Sequence, residues 1–205
     1  MTGLNLNNRM FITILLITIG ACKLINSQAQ SNMVRDKDGN TYTWKIMSDN
    51  KQWLTKNLNT NVEESYCQEN NPMHCSQYGR LYTFLAAQKA CSMLGDGWRL
   101  PTNEEWEKMA AQYGGVRDKS NDGGKAAYQA MLVGGNSGFN AVLGGNRELD
   151  DKGYARFNAH GFYWTSSETG NNTAWLYNFG KGGKILNRHE DGNKQEAISV
   201  RCIRY

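Results

Sequence analysis

The stretch GDGWRLPTNEEWEKM, residues 95–109, decides how the chain is to be read. Its second half is a helix start. Thr102 can place its hydroxyl on the backbone N–H of Glu105, and Glu105 can reach back to the N–H of Thr102, which is a capping box. Pro101 stands just before the cap, where its fixed φ discourages an earlier start. Trp106, Met109, Ala110 and Tyr113 then recur at helical spacing, and Gly114-Gly115 ends the helix. Capping does not explain Trp98-Arg99-Leu100. Two assignments compete for it. In one, Trp98 and Leu100 anchor the helix to a core while Arg99 meets an acid or a carbonyl. In the other, Trp98 and Arg99 form a ligand platform.

Working outward, GRLYTFLAAQKACSMLGDG (79–97) carries apolar residues at Leu81, Phe84, Leu85, Ala87, Cys91 and Leu94. That spacing predicts a first helix closed by Gly95, with Cys91 on its buried stripe. Before it, DKDGNTYTWKIM (36–47) reads as an Asp-Gly turn followed by alternation at Tyr42, Trp44 and Ile46, and QWLTKNLNT (52–60) as a short strand. Asp36, Asp38 and Asn40 resemble the opening of a calcium loop, but Met47 stands where its closing glutamate belongs. Residues 114–160 are rich in glycine and mostly loop, with a short helix allowed in DGGKAAYQAMLVGG (122–135). Gly123-Gly124-Lys125 lacks the spacing and the hydroxyl of a phosphate loop. GFYWTSSE, TAWLYNF, KILNR and AISVRCIRY are four strand candidates in the tail, with Ile198, Val200 and Cys202 sharing one face.

The N-terminus reads as a targeting signal. Arg9 precedes an apolar run from Met10 to Ile19, too short to span a bilayer and suited to a secretory signal. Gly20-Ala21-Cys22 resembles the lipobox of bacterial lipoproteins, in which the chain is cut before a cysteine that carries lipid. The expected organisation is a signal peptide over 1–21, a flexible tether over 22–33 and one domain over 34–205. With Cys22 lipidated, Cys67, Cys75, Cys91 and Cys202 remain in an oxidising compartment. Four cysteines allow three pairings. Cys67 and Cys75 bracket QENNPMH, a loop with Asn-Pro turn chemistry, and pair naturally, which leaves Cys91 with Cys202. The rival, a metal site using His74, has no common zinc spacing. The formal net charge is +4, with basic and acidic residues interspersed, so no nucleic-acid arm is present.

Taken in order, DKDGNTYTWKIM, YGRLYTFLAA, GWRLPT-x-EEW, GFNAVLGGNR, FYWTSSE and SVRCIRY resemble the Fibrobacter succinogenes major paralogous domain, found widely in Bacteroidetes lipoproteins. The resemblance runs from about Val34 to Tyr205. It implies an α+β, C-type-lectin-like fold, akin to that of the formylglycine-generating enzymes. Two helices would pack on short twisted antiparallel sheets with long glycine-rich loops. In that wider fold a cysteine of the first helix pairs with one of the last strand, which here implies Cys91 with Cys202.

The resemblance implies a non-catalytic binding or interaction module, anchored to the outer membrane through lipid on Cys22, facing either the periplasm or the cell surface. The ligand would be a glycan or a surface protein. Asn146, Arg147, Glu148 and Asp150 are the polar candidates, and Trp164 and Trp175 the aromatic ones, since flat rings stack well on sugars. The calcium-dependent sugar motifs of true C-type lectins are absent, and no metal or cofactor is expected. Three other classes stand beside this one. An architectural subunit of a surface assembly is the alternative. A copper-binding oxidase needs a pair of free cysteines. A hydrolase lacks support, because His74, His160 and His189 lie in no nucleophile motif and no HExxH or GxSxG occurs.

Overall fold

A computed structural model describes Met1 and residues 32–149 and 153–205 of the chain. The expected leader and Cys22 lie outside the described residues, and so does Asp150. Residues Asn32–Tyr205 form one compact unit. In chain order its first elements are β1 (Met33–Arg35), β2 (Thr41–Ile46), β3 (Gln52–Leu54), β4 (Ser65–Tyr66), α1 (Pro72–Tyr78), β5 (Leu81–Tyr82), α2 (Phe84–Ser92) and α3 (Asn103–Ala111). There follow α4 (Lys125–Met131), β6 (Asn146–Arg147), β7 (Tyr154–Ala155), β8 (His160–Glu168), β9 (Thr173–Gly180), β10 (Ile185–Asn193) and β11 (Ile203–Arg204). The architecture is mixed α+β, with small antiparallel sheets. One has the order β1-β2-β3-β11 and so joins the start of the unit to its end. The other principal sheet has the order β10-β9-β8, and β4-β5 and β6-β7 are short pairs.

Two cores flank the closing segment of the chain. The first gathers Ala87, Ala90 and Cys91 of α2 with Trp98, Leu100 and Trp164. The second gathers Trp53, Trp106, Met109, Phe139, Tyr163 and Tyr177. In it Trp106 stacks on Tyr177 at 4.7 Å and meets Trp53 edge-on at 5.4 Å. Ile198, Val200 and Cys202 alternate into the first core, as their spacing predicts, while Ile203 enters the second. The Cys91–Cys202 disulfide ties α2 to this segment across 111 residues, with Cα atoms 5.6 Å apart. Cys67 and Cys75 form the second bridge.

The Trp-Arg-Leu stretch is an extended link whose residues point alternately. Trp98 and Leu100 are buried in the first core. Between them, the backbone of Arg99 exchanges hydrogen bonds with Ile203, N to O at 2.9 Å in both directions. The Arg99 side chain grips Glu105 with two bonds of 2.7 and 2.6 Å. The capping box of α3 is complete: Thr102 Oγ1 accepts from Glu105 N at 3.2 Å, and Glu105 Oε2 accepts from Thr102 N at 2.8 Å. One carboxylate therefore caps the helix and holds the preceding strand. Trp98 is buried, so the ligand-platform reading of this stretch fails.

Several expected elements are corrected. Leu81 and Tyr82 belong to β5, not to the first helix, because they pair with Tyr66 and Ser65 and Tyr82 also bridges Ile198. The helix starts at Phe84, which places Leu85 on its outer face, 69% exposed. The Asn-Pro read as turn chemistry opens α1 instead. Asn71 is the N-cap, its side chain accepting from Met73 N, and Pro72 sits at the first helical position, where a missing N–H costs nothing. Besides the two principal helices expected, the described residues hold α1 and, within 122–135 where a short helix was allowed, α4. Strand pairing starts at Met33, inside the expected tether. Of AISVRCIRY only Ile203–Arg204 is a ladder strand; Ile198 and Ser199 make isolated bridges. The Asp-Gly turn over residues 36–40 forms as expected, built around Asp36, whose carboxylate accepts from Asp38 N, Asn40 N, Asn40 Nδ2, Tyr42 Oη and Thr60 Oγ1.

Candidate functional site

Antiparallel pairing sets which side chains of the three-stranded sheet share a face. Phe162 lies opposite Asn178, Trp164 opposite Leu176, Asn187 opposite Asn178 and His189 opposite Leu176. These residues and His160 therefore stand on one face, while Tyr163, Tyr177, Phe179 and Leu186 stand on the other, in the second core. Half of the first face is covered. Trp164 lies beneath Phe84 at the start of α2, edge-on at 5.7 Å, and donates from Nε1 to Tyr82 O at 2.9 Å. The other half stays open and forms the floor of a cleft of about 280 Å³.

Polar groups crowd that floor. His160 Nδ1 meets Asn178 Oδ1 at 3.0 Å, and its ring stacks on Phe162 at 5.4 Å. His189 Nε2 meets Asn187 Nδ2 at 3.2 Å. A bulge in β10 between His189 and Gly192 turns Asp191 into the wall. Gly192 is required there, because a Cβ would come within 2.6 Å of Leu176 Cδ2 and 2.9 Å of the Trp164 ring.

Arg156 and Glu196 complete the walls. Arg156 has a left-handed backbone, φ +57, uncommon for a residue with a side chain. Its guanidinium donates to Asn146 Oδ1 at 3.1 Å and to Glu148 Oε1 at 2.6 Å, which fixes the turn against β6. Burial raises the pKa of Glu196. Arg156 opposes that rise, and Glu148 and Asp191 add to it. The lining thus offers hydrogen-bond donors, acceptors and one aromatic face in a small space, a composition suited to a hydroxyl-rich ligand. Its ionisable groups are Arg156, His160, His189, Asp191 and Glu196. Among the described residues no group of three or more His, Cys, Asp or Glu side chains is placed to hold a metal ion.

The residues expected at a binding site are scattered. Asn146 lines this cleft, but it is buried and holds Arg156. Glu148 reaches the cleft only through its pair with Arg156. Arg147 turns away: its guanidinium covers the Tyr66 ring at 4.3 Å, and its backbone pairs with Ala197. Trp164 is fully buried and cannot meet a ligand. Trp175 has the opposite parity to Leu176 and lies on the other side of the sheet under Arg188, at 5.0 Å. Asp150 lies outside the described residues. Phe162, Asn178, His189, Asp191 and Glu196 line the cleft without being among the expected site residues, and His160 stands at the edge of the loop region expected to meet a ligand. The signal that could have found them is the alternation of His160 with Phe162 and of Leu176 with Asn178.

The sequence model of the Fibrobacter succinogenes major domain matches residues 43–204. No curated protein and no solved structure matches the chain.

Proposed function

The chain belongs to the Fibrobacter succinogenes major domain family, and from that premise we propose that it is a non-catalytic binding module for a glycan, with a C-type-lectin-like fold. In this reading the module is carried on the outer membrane by lipid on Cys22. The observation that carries it is the open half of the three-stranded sheet. His160, Asn178 and His189 present polar atoms there beside the Phe162 ring, walled by Asp191, Glu196 and Arg156. The stacking ring is Phe162 rather than a tryptophan, because Trp98, Trp106 and Trp164 are buried and the half-buried Trp175 lies on the opposite side of the sheet under Arg188. The lectin-like fold is supported by the bridge from α2 to the closing segment and by the pairing of β3 with β11. A non-catalytic role is supported by the pairing of Cys67, Cys75, Cys91 and Cys202, which leaves a copper-binding oxidase no thiols among them.

A glycan array probed with the unreduced domain tests this reading. Binding above background that is lost in Asn178→Ala and in Phe162→Ala supports it. Uniform background sinks it and favours the architectural alternative, which co-purification of the anchored protein with surface components would then establish.

A further inference from the structure

A second cleft, of about 470 Å³, opens between residues 55–59, the end of α1 and the 133–142 loop. Arg201 underlies it, wholly buried. Its guanidinium donates from Nε to Asn57 Oδ1 at 2.7 Å, from Nη1 to Leu54 O at 3.0 Å and to Phe139 O at 2.5 Å, and from Nη2 to Asn140 O at 2.6 Å. The Phe139 ring lies beneath it at 4.5 Å. None of these partners is a carboxylate, and among the described residues Arg201 makes no ion pair. A buried cation is costly unless its charge is matched. Carbonyl dipoles and a ring face hold this one, but they leave its unit charge unneutralised. Burial lowers its pKa to about 10, still far above neutrality, so the charge persists at pH 7.

The wall above it adds an independent signal. Asn59 lines the cleft, and its Oδ1 is buried with no donor in the protein. An acceptor left so costs about 1–3 kcal/mol, and a turn of the half-buried Asn59 side chain into the cleft would let a ligand hydroxyl recover it. Lys56 is exposed at the rim, its ammonium unpaired among the described residues. One acid, Asp36, stands behind Asn40 and Tyr42 in this wall, and its oxygens are occupied by those residues and Thr60. An unbalanced cation below, a free cation at the rim and an unpaired acceptor between them match a ligand carrying both a carboxylate and hydroxyl groups.

We propose that this cleft binds an acidic saccharide, with the carboxylate of a uronic acid residue met by Lys56 above the field of Arg201 and a sugar hydroxyl donating to Asn59. The site is separate from the cleft on the three-stranded sheet. Calorimetric titration with a trigalacturonate and with its methyl ester, which keeps the hydroxyls and removes the charge, tests it. The acid should bind at least tenfold more tightly than the ester and weaken several-fold between 50 and 500 mM salt. Lys56→Glu, at an exposed position that leaves the fold intact, should lower affinity for the acid at least tenfold. Lys108→Glu, an exposed lysine outside both clefts, should leave it nearly unchanged. Equal affinity for acid and ester, binding of neither, full affinity in Lys56→Glu, or an equal loss of acid binding in Lys108→Glu overturns the proposal.

Discussion

Arg99 and Glu105 meet in a two-pronged ion pair, and the same carboxylate accepts the backbone N–H of Thr102 and the ammonium of Lys51. Burial works against the charge on Glu105, but the bonds from Arg99, Lys51 and Thr102 outweigh it and lower its pKa from 4.5 to about 2. A group whose folded pKa is depressed adds stability above its unfolded pKa and loses it as pH falls through the folded value. At about 1.4 kcal/mol per pKa unit, that stabilisation is on the order of 3 kcal/mol near neutrality. Glu105→Gln should therefore cost about 2–3 kcal/mol at pH 7, and the gap from the parent should close between pH 4.5 and 2. Urea denaturation of both proteins across that range measures it. A gap that does not change with pH contradicts the assignment.

The two disulfides close loops of very different size, with sequence separations of 111 and 8 residues. In the loop-entropy treatment the long loop contributes about 4–5 kcal/mol and the short one about 2–3 kcal/mol. Cys91→Ala/Cys202→Ala should lower the melting temperature clearly more than Cys67→Ala/Cys75→Ala. Equal losses in calorimetry would count against the long bridge as the tie between α2 and the closing segment.

Gly192 lets the β10 bulge lie against Leu176 and Trp164. Gly192→Ala drives a methyl into that contact and should cost about 1–3 kcal/mol as overpacking. Because the bulge carries Asp191, glycan affinity should fall as well. Chemical denaturation and titration on the same variant report both effects, and a neutral outcome in the two would show that the bulge adapts freely.

The proposed lipid anchor at Cys22 is tested by the full chain, which should partition with membranes and take up labelled palmitate, while Cys22→Ser should do neither. Fractionation of expressing cells decides this. Retention of Cys22→Ser in the membrane fraction would require a different anchor.

The capping box, both disulfides, the closing alternation and the family were readable from residue order, because each rests on short-range spacing or on conspicuous residue types. The start of α2 was not. Leu81 continues a helical pattern, and only its pairing with Tyr66 pulls it into a strand. Arg201 alternates with Val200 and Cys202 and should have faced water. The loop carrying Phe139 and Asn140 covers it, a contact across about sixty residues that no local pattern encodes. The cleft on the three-stranded sheet failed for a related reason. Phe162 and Trp164 share a face, and α2 covers one and not the other.

The most direct test of the binding role is to titrate the isotopically labelled domain, Asn32–Tyr205, with an array-selected glycan and follow its amide and side-chain NMR signals. The expected result is saturable shifts concentrated at His160, Phe162, Asn178 and His189, with the buried Trp164 indole unmoved. Shifts confined to other surfaces, or none at saturating ligand, would contradict a glycan site on the open half of this sheet.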